Sequence, residues 1–256
     1  TLDRSSAASD VYKRQAGHTP LLGGDVRRST MASSPNLRAV RRGVLLALAL
    51  GCAVLPRQAR AETPYLLDEV SREVPSRGTV RCPAMPLTLY GGSVVPYNGQ
   101  VTVHPAFVAK LRELEAATRA VAIEVYGRAP TSMHNLGSYN CRRIPGYPNL
   151  VSEHGLGNGI DVDAFTFGPL PKGAPLPKGL PAALQRGFGV SVATHFGAKG
   201  DIGVVHRRFL HRLALKLKDI FRVVLGPGYV GHDDHFHLDM APYRMFDMSV
   251  SAEAAK

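Results

Sequence analysis

Cysteine is scarce in this chain, which has three among 256 residues, and only Cys82 and Cys141 lie outside the N-terminal leader described below. Neither occupies the spacing of a metal-ligand motif, which argues against a cysteine metal ligand or nucleophile. Two cysteines in an exported chain most economically form one disulfide. The bond would close a loop of about 60 residues and contribute about 4 kcal/mol on the chain-entropy account.

Long apolar runs are also missing. The apolar stretch from Gly43 to Leu55 is too short to span a membrane. Basic residues precede it, and a small-x-small site, Ala59-Arg60-Ala61, follows it. This order is typical of a cleavable secretory signal peptide, which we predict over residues 31–61. The expected location of the mature chain is therefore the periplasm or the exterior of the cell.

Two features of the leader need separate interpretation. Cys52 follows Ala-Leu-Gly and is a candidate lipoprotein acylation site, although Ala49 and Leu50 stand in the reverse of the usual order. Residues 1–30 fit no targeting pattern, and their segment SSAASDVYKRQ resembles translated adapter sequence. We interpret 1–30 as a non-native segment and place the native start at Met31.

The excess of positive charge belongs largely to this leader. The whole chain has a formal net charge of +11, whereas residues 62–256 carry 21 basic and 17 acidic residues, a net of +4. A strongly basic nucleic-acid-binding protein is therefore not indicated. No internal repeat is present either, and we expect a monomer without a membrane span.

The remaining residues, about 195, suit a single domain. We interpret 62–104, rich in Pro, Gly and Ser, as an N-terminal arm, 105–243 as the functional domain and 244–256 as a C-terminal tail. Apolar residues recur at helical spacing from Pro105 to Tyr126, and Gly127 is a typical helix stop. A second helix is expected over roughly 204–222, and 166–203 is predicted to be a long loop.

Two short stretches alternate as strands do. In GIDVDAF (159–165), Ile160, Val162 and Ala164 are expected on one face, with Asp161, Asp163 and Phe165 on the other. In HFHLDM (235–240), the two His and the Asp share a face opposite Phe236. Helices and antiparallel-type strands in this order predict an α+β fold, a small antiparallel sheet with flanking helices.

These strands concentrate side chains that bind metals. His154 and Asp161 lie seven residues apart, and Gly155, Gly157 and Gly159 lie between them. These glycines let the chain turn and bring both side chains into one cleft. An adjacent strand bearing His237 would supply a third ligand. Catalytic zinc sites hold the metal with three such ligands and leave one position open.

Three motifs carry a resemblance to a known family. They are Gly137-Ser-Tyr-Asn-Cys-Arg142, then Ser152-x-His154-x-x-Gly157-x-Gly159-x-Asp161, and Asp234-His-Phe-His-Leu-Asp239. In this order they resemble the bacterial extensin-like C-terminal domain family, over roughly residues 80–243. The resemblance implies membership of the D-Ala-D-Ala metallopeptidase superfamily, which includes D,D-carboxypeptidases, D,D-endopeptidases, D,D-dipeptidases and the hedgehog signalling domain.

The resemblance implies a role for each motif residue. It assigns His154, Asp161 and His237 as zinc ligands and Asp234 as general base and acid, at a position where many relatives have Glu. His235 is expected to stabilise the oxyanion or position water, although its alternation also allows a ligand role. The family motif favours Arg142 over Arg143 as the clamp for a substrate carbonyl or carboxylate, and Asp163 is a candidate for orienting a ligand His.

The implied function is zinc-dependent hydrolysis of amide bonds in peptidoglycan stem peptides, as a D,D-carboxypeptidase or endopeptidase. The implied fold is that of the D-Ala-D-Ala carboxypeptidases and hedgehog domains. The alternative is a zinc-stabilised cell-wall binding domain with little or no turnover, since hedgehog domains keep the metal without peptidase function. The Asp in place of Glu at position 234 keeps this alternative open.

Overall fold

The computed structural model of the chain describes residues 64–251. The predicted segment 1–30, the signal peptide 31–61, the acylation site Cys52 and the end of the tail lie outside the described residues and stay predictions. Among the helices of residues 64–251, none combines the length and the apolar character that crossing a membrane requires.

Three α-helices lie within the described residues: α1 Pro105–Tyr126, α2 Val192–His195 and α3 Gly200–Ile220. The predicted bounds of α1 are confirmed. The imidazole of His104 accepts a hydrogen bond from the backbone N–H of Ala106 at 3.1 Å, and Gly127 ends the helix at φ 71°. Helix α3 begins and ends earlier than predicted. Two short 3-10 helices, η1 Glu153–Leu156 and η2 Ala182–Gln185, complete the helical part.

Within residues 64–251, ten strands form three sheets. They are β1 Thr88–Tyr90, β2 Val101–Val103, β3 Ser132–Gly137, β4 Arg143–Ile144, β5 Tyr147–Val151, β6 Gly159–Phe167, β7 Phe188–Ser191, β8 Val223–Leu225, β9 Phe236–Asp239 and β10 Met245–Asp247. The largest has the order β10-β8-β9-β6-β3, with β7 also paired to β6. β1 pairs with β2, and β4 with β5.

The α+β class is confirmed, but the sheet is not purely antiparallel as expected. β10 pairs with β8 in parallel, because the chain leaves β8, returns antiparallel along β9 and then crosses to the other side of β8. All other pairs in this sheet are antiparallel. The prediction of one long loop over 166–203 is wrong in part, since η2, β7 and α2 lie inside it. Phe188 of β7 stacks on Phe167 of β6 at 4.8 Å between ring centroids, and this apolar contact holds β7 to the sheet.

Strand β6 contains a bulge that changes which residues face the core. Val162 pairs with Asn135 and Ala164 pairs with His134, so Asp163 is an extra residue in β6. Phe165 is therefore buried in the same core as Ile160 and Val162, and its predicted placement opposite them is wrong. Asp163 does not orient a ligand His as expected, because its carboxylate lies 2.5 Å from Nδ1 of His134.

The core lies between one face of the large sheet and the two long helices. Phe107 of α1, Phe209 of α3 and Phe236 of β9 are completely buried there. Because neighbouring residues of a strand point to opposite faces, His237 and Asp239 project from the other face of β9. Burial of the apolar face thus decides on which side of the sheet the polar residues of β6 and β9 meet.

The disulfide between Cys82 and Cys141 is confirmed, with 5.8 Å between the two Cα atoms. It joins the N-terminal arm to the segment that precedes β4. The arm also contributes to the main core through Val95, Val101 and Val103, all essentially buried. The arm is therefore packed into the domain that it precedes.

Candidate metal centre

His154, Asp161 and His237 come together from three elements. His154 lies in η1, where the hydroxyl of Ser152 caps the first turn, and Gly157 ends it at φ 63°. A side chain at Gly157 would place its Cβ 2.7 Å from the backbone N of His104, so glycine is required there. Asp161 of β6 and His237 of β9 are directly paired across the two strands. The predicted ligand set therefore forms one cluster, which has the composition and spacing of a metal site.

The ligand atoms form a small triangle. Nε2 of His154 lies 3.1 Å from Nδ1 of His237 and 3.3 Å from Oδ1 of Asp161. The distance between Nδ1 of His237 and Oδ1 of Asp161 is 2.9 Å. A metal ion with four tetrahedral bonds of ~2.0–2.1 Å separates its ligand atoms by about 3.3 Å. The triangle is close in size to one face of such a tetrahedron, so a metal ion held here would have its fourth position open to a substrate atom or water.

The remaining ring nitrogens are held by acceptors. Nδ1 of His154 lies 2.7 Å from the carbonyl oxygen of Ser138, which can only accept, so this nitrogen carries a hydrogen. Nε2 of His237 lies 2.7 Å from Oδ2 of Asp239, to which it donates in the same way. When both rings are neutral, each directs a lone pair toward the carboxylate oxygen of Asp161. A positive charge, either a proton or a metal ion, is then needed between these three atoms, and such an arrangement is suited to hold a metal ion.

A proton competes with a metal ion for this position. Burial disfavours the charged form of His237, but hydrogen bonds to Asp161 and Asp239 outweigh it and raise the pKa of His237 to about 10. Burial likewise favours the neutral form of Asp161, yet the neighbouring rings of His154 and His237 hold the pKa of that carboxyl well below its usual range. The electrostatics of the cluster thus favour a positive charge between these side chains.

His235 lies beside the cluster and faces it with Nε2, which is 3.6 Å from Oδ1 of Asp161. Its Nδ1 lies 2.7 Å from Oδ1 of Asp234. The hydrogen bond to His235 lowers the pKa of Asp234, whose side chain is 65% exposed. The carboxylate predicted to act as the base is therefore bound to His235, and it is the imidazole that faces the ligand cluster.

Arg142 and Arg143 differ in their contacts. The guanidinium of Arg143 donates to the carbonyl oxygens of Pro75 and Arg77, at 2.7 and 3.3 Å, and is thereby committed to the N-terminal arm. Arg142 is half-buried, and its backbone carbonyl accepts from the N–H of Ser152, two residues before the ligand His154. Its guanidinium forms no ion pair with the part of the chain that the structure describes.

Four contacts around the cluster were missed by the sequence analysis. Asp239 holds His237, the carbonyl of Ser138 holds His154, and the ring of His232, assigned only to a loop, lies 5.6 Å from that of His237. The fourth is a buried ion pair between Arg72 and Glu153, at 2.8 Å, next to the ligand His154. Alternation in β9 puts Asp239 beside His237 and was a usable signal, whereas the other three depend on tertiary contacts.

Part of the chain matches a known protein family. No curated protein and no solved structure matches the chain. Residues 61–169 match the model of a protein family described as Extensin-like protein C-terminus. The matched segment includes His154, Asp161 and both cysteines of the disulfide, and it ends before β9, which supplies His237.

Proposed function

We propose that this chain is an exported zinc-dependent hydrolase that cleaves amide bonds in peptidoglycan stem peptides, as a D,D-carboxypeptidase or endopeptidase. The observation that carries the proposal is the convergence of the His154, Asp161 and His237 lone pairs at 2.9–3.3 Å. This arrangement has the ligand number of a catalytic site, since one tetrahedral position remains open.

Zinc is the metal that the ligands favour. Two imidazoles and one carboxylate form a donor set common in catalytic zinc sites, and the nearly tetrahedral triangle disfavours octahedral Mg²⁺ or Ca²⁺. A zinc ion bound here would supply Lewis acidity at the scissile carbonyl and at water. Asp239 and the carbonyl of Ser138 would fix the two ligand rings in the tautomers that this requires.

Proton transfer falls to His235 with Asp234 behind it. Because Nδ1 of His235 donates to the carboxylate of Asp234, its Nε2 carries the lone pair on the side of the cluster. That nitrogen can accept a proton from the attacking water and deliver it to the leaving amine. Asp234 then orients the ring and stabilises its charged form, which gives the Asp at this position a role that its shorter side chain can fill.

The proposed substrate class, peptidoglycan stem peptides, rests on the motifs and on the predicted export. The three motifs resemble those of the D-Ala-D-Ala metallopeptidase superfamily, whose members cut wall peptides or retain the metal alone. The disulfide suits an oxidising compartment. Arg142, near the ligand turn and without an ion-pair partner in the described chain, is suited to bind the carboxylate or a carbonyl of the stem peptide.

Purified protein loaded with zinc and incubated with defined muropeptides tests the proposal. We expect release of D-Ala, or loss of cross-linked dimers, in mass spectra, and we expect both to stop in Asp161→Asn, in which a neutral amide replaces the anionic carboxylate. Arg143→Gln serves as a control, because the guanidinium of Arg143 donates to carbonyl oxygens of the arm, at Pro75 and Arg77. If the zinc-loaded protein cleaves none of the wall peptides, the proposed hydrolase activity is excluded.

A second candidate is a zinc-stabilised wall-binding domain without turnover. One observation favours it: the carboxylate of Asp234 is turned to His235 and is largely exposed, so it does not face the open metal position. This candidate predicts zinc-dependent sedimentation with purified cell-wall sacculi and no change in the muropeptide profile. The same incubation therefore separates the two candidates.

A further inference from the structure

The disulfide lies directly against the turn that carries the ligand His154. A Cβ built on Gly155 would lie 2.6 Å from Sγ of Cys82 and 3.6 Å from Cα of Cys141. Gly155 is buried and immediately follows His154. The disulfide is therefore tightly packed against the turn that carries His154, and a displacement of one is expected to disturb the other.

The segment that ends at Cys141 also makes hydrogen bonds to His154 at both its side chain and its backbone. The carbonyl oxygen of Ser138 accepts from Nδ1 of His154 at 2.7 Å, and the backbone N–H of Asn140 donates to the carbonyl of His154 at 3.2 Å. Asn140 directly precedes Cys141. The bond to Cys82 in the arm thus anchors one end of the segment that orients the ligand ring.

We propose that the Cys82–Cys141 disulfide positions His154, so that its oxidation state sets the affinity of the site for its metal ion. The inference rests on the proposed metal site. A dithiol reductant would break the Sγ–Sγ bond, transfer two electrons and two protons to give two thiols, and itself become a disulfide. Since the two sulfurs cannot remain at bonding distance, one or both must move, and Gly155 lies against Cys82.

Loss of the disulfide would remove no ligand atom. It would instead change how the ring of His154 is oriented. When the segment 138–141 shifts, Nδ1 of His154 loses its acceptor, and the ring is free to rotate or to change tautomer. Removal of such a partner to a ligand His typically weakens metal binding by ~10–100-fold. Linkage requires the reverse effect as well: bound metal must make the disulfide harder to reduce by the same factor.

Zinc titration against a chromophoric chelator tests the proposal. We compare the oxidised protein with the double variant Cys82→Ser/Cys141→Ser, in which no thiol remains at these positions to bind zinc. The expected result is at least a ten-fold weaker affinity in the variant. The Co²⁺ forms should also differ in their visible spectra, because the ligand field reports the orientation of His154.

The control separates positioning from general stability. Leu213→Ala in α3 truncates a fully buried side chain of the main core and is expected to cost about 2–5 kcal/mol, similar to the loss of the disulfide. It should leave zinc affinity unchanged under conditions where the protein is folded. Equal loss of affinity in both variants, or no loss in the double Ser variant, would overturn the proposal.

Wild-type protein provides a second measurement should the double Ser variant not fold. The disulfide is equilibrated with a dithiol buffer, with and without one equivalent of zinc, and the free thiols are counted. We expect zinc to protect the disulfide from reduction, so that fewer free thiols are counted. If zinc instead binds the new thiols and promotes reduction, the result contradicts the proposal. Oxidised protein that binds no zinc would overturn both proposals, and zinc binding without hydrolysis would overturn only the proposed function.

Discussion

Nδ1 of His237 lies 2.9 Å from Oδ1 of Asp161, directly across the β6–β9 pair. The same ring is held on its other nitrogen by Asp239, so one imidazole lies between two carboxylates. A metal ion bound here would be held by Nδ1, because Nε2 already donates to Asp239. The orientation of this ligand therefore depends on a residue two positions further along the same strand.

Replacing the outer carboxylate should weaken metal binding without removing a ligand. In Asp239→Asn the amide oxygen can still accept from the N–H of Ala241, but the charged acceptor for His237 is lost. We expect ~10–100-fold weaker zinc affinity in a chelator competition. Asp233→Asn, an exposed position in the preceding loop, is the matched control and should bind zinc as the wild type does. Unchanged affinity in Asp239→Asn would mean that the carboxylate does not orient the ring.

The ion pair between Arg72 and Glu153 should matter for stability. Both side chains are buried, at 7% and 6% exposure, and Arg72 also donates to the carbonyl of Leu67. Arg72→Met leaves the Glu153 carboxylate buried without its cation, a change that typically costs about 3–5 kcal/mol. Urea unfolding should show this loss and a clearly smaller one in Arg72→Met/Glu153→Gln. A double variant as unstable as the single one would show that the buried charge is not the cause.

The three candidate ligands could be predicted from the sequence, whereas most of the groups that hydrogen-bond to them could not, and the reasons are physical. His154, Asp161 and His237 were predictable because short glycine-spaced and alternating motifs restrict both residue type and direction. Asp239 shares this alternation. The carbonyl of Ser138 carries no side-chain signal at all, and its contact with His154 depends on how segment 138–141 is placed by a distant cysteine.

The fold shows the same division. Helix α1 was predictable because its apolar spacing, its proline start and its glycine stop are all local. The bulge at Asp163 was not, because it is a mismatch between β6 and β3 and therefore a property of two strands. β7 was missed since glycine and proline dominate its surroundings, while the stacking of Phe188 on Phe167 that stabilises it is a long-range contact.

Acid should destabilise the protein through His206. Burial, together with the nearby positive charge of His195, lowers the pKa of His206 to about 4, from 6.5 in the unfolded chain. Between these two pKa values the unfolded state therefore binds more protons than the folded state. The free energy of unfolding that depends on neutral His206 is fully present above pH 6.5 and is lost as the pH falls toward 4. The loss amounts to about 3 kcal/mol.

Urea unfolding at several pH values measures this effect. His206→Gln retains a group that can hydrogen-bond to the hydroxyl of Tyr126, which lies 2.9 Å from Nδ1 of His206, but it removes the titration. The variant should lose less free energy of unfolding than the wild type between pH 6.5 and 4. A wild-type slope in the variant would assign the acid sensitivity to other groups.

A double-mutant cycle distinguishes the two residues that are candidates for proton transfer. If His235 transfers the proton and Asp234 acts only through it, His235→Gln should lower kcat by ~100–10,000-fold, the usual contribution of a general acid–base group. Asp234→Asn should lower kcat less, by about ten-fold, because the ring loses the anionic partner that orients it. The decisive measurement is the double variant, in which the second substitution should have almost no further effect. Multiplied losses would instead mean that Asp234 acts on water directly, as the sequence motif predicted, and would require the carboxylate to leave His235 and turn toward the metal during the reaction. Zinc content, measured in each variant, should stay at one ion per chain, since neither residue is needed to complete the triangle of ligand atoms.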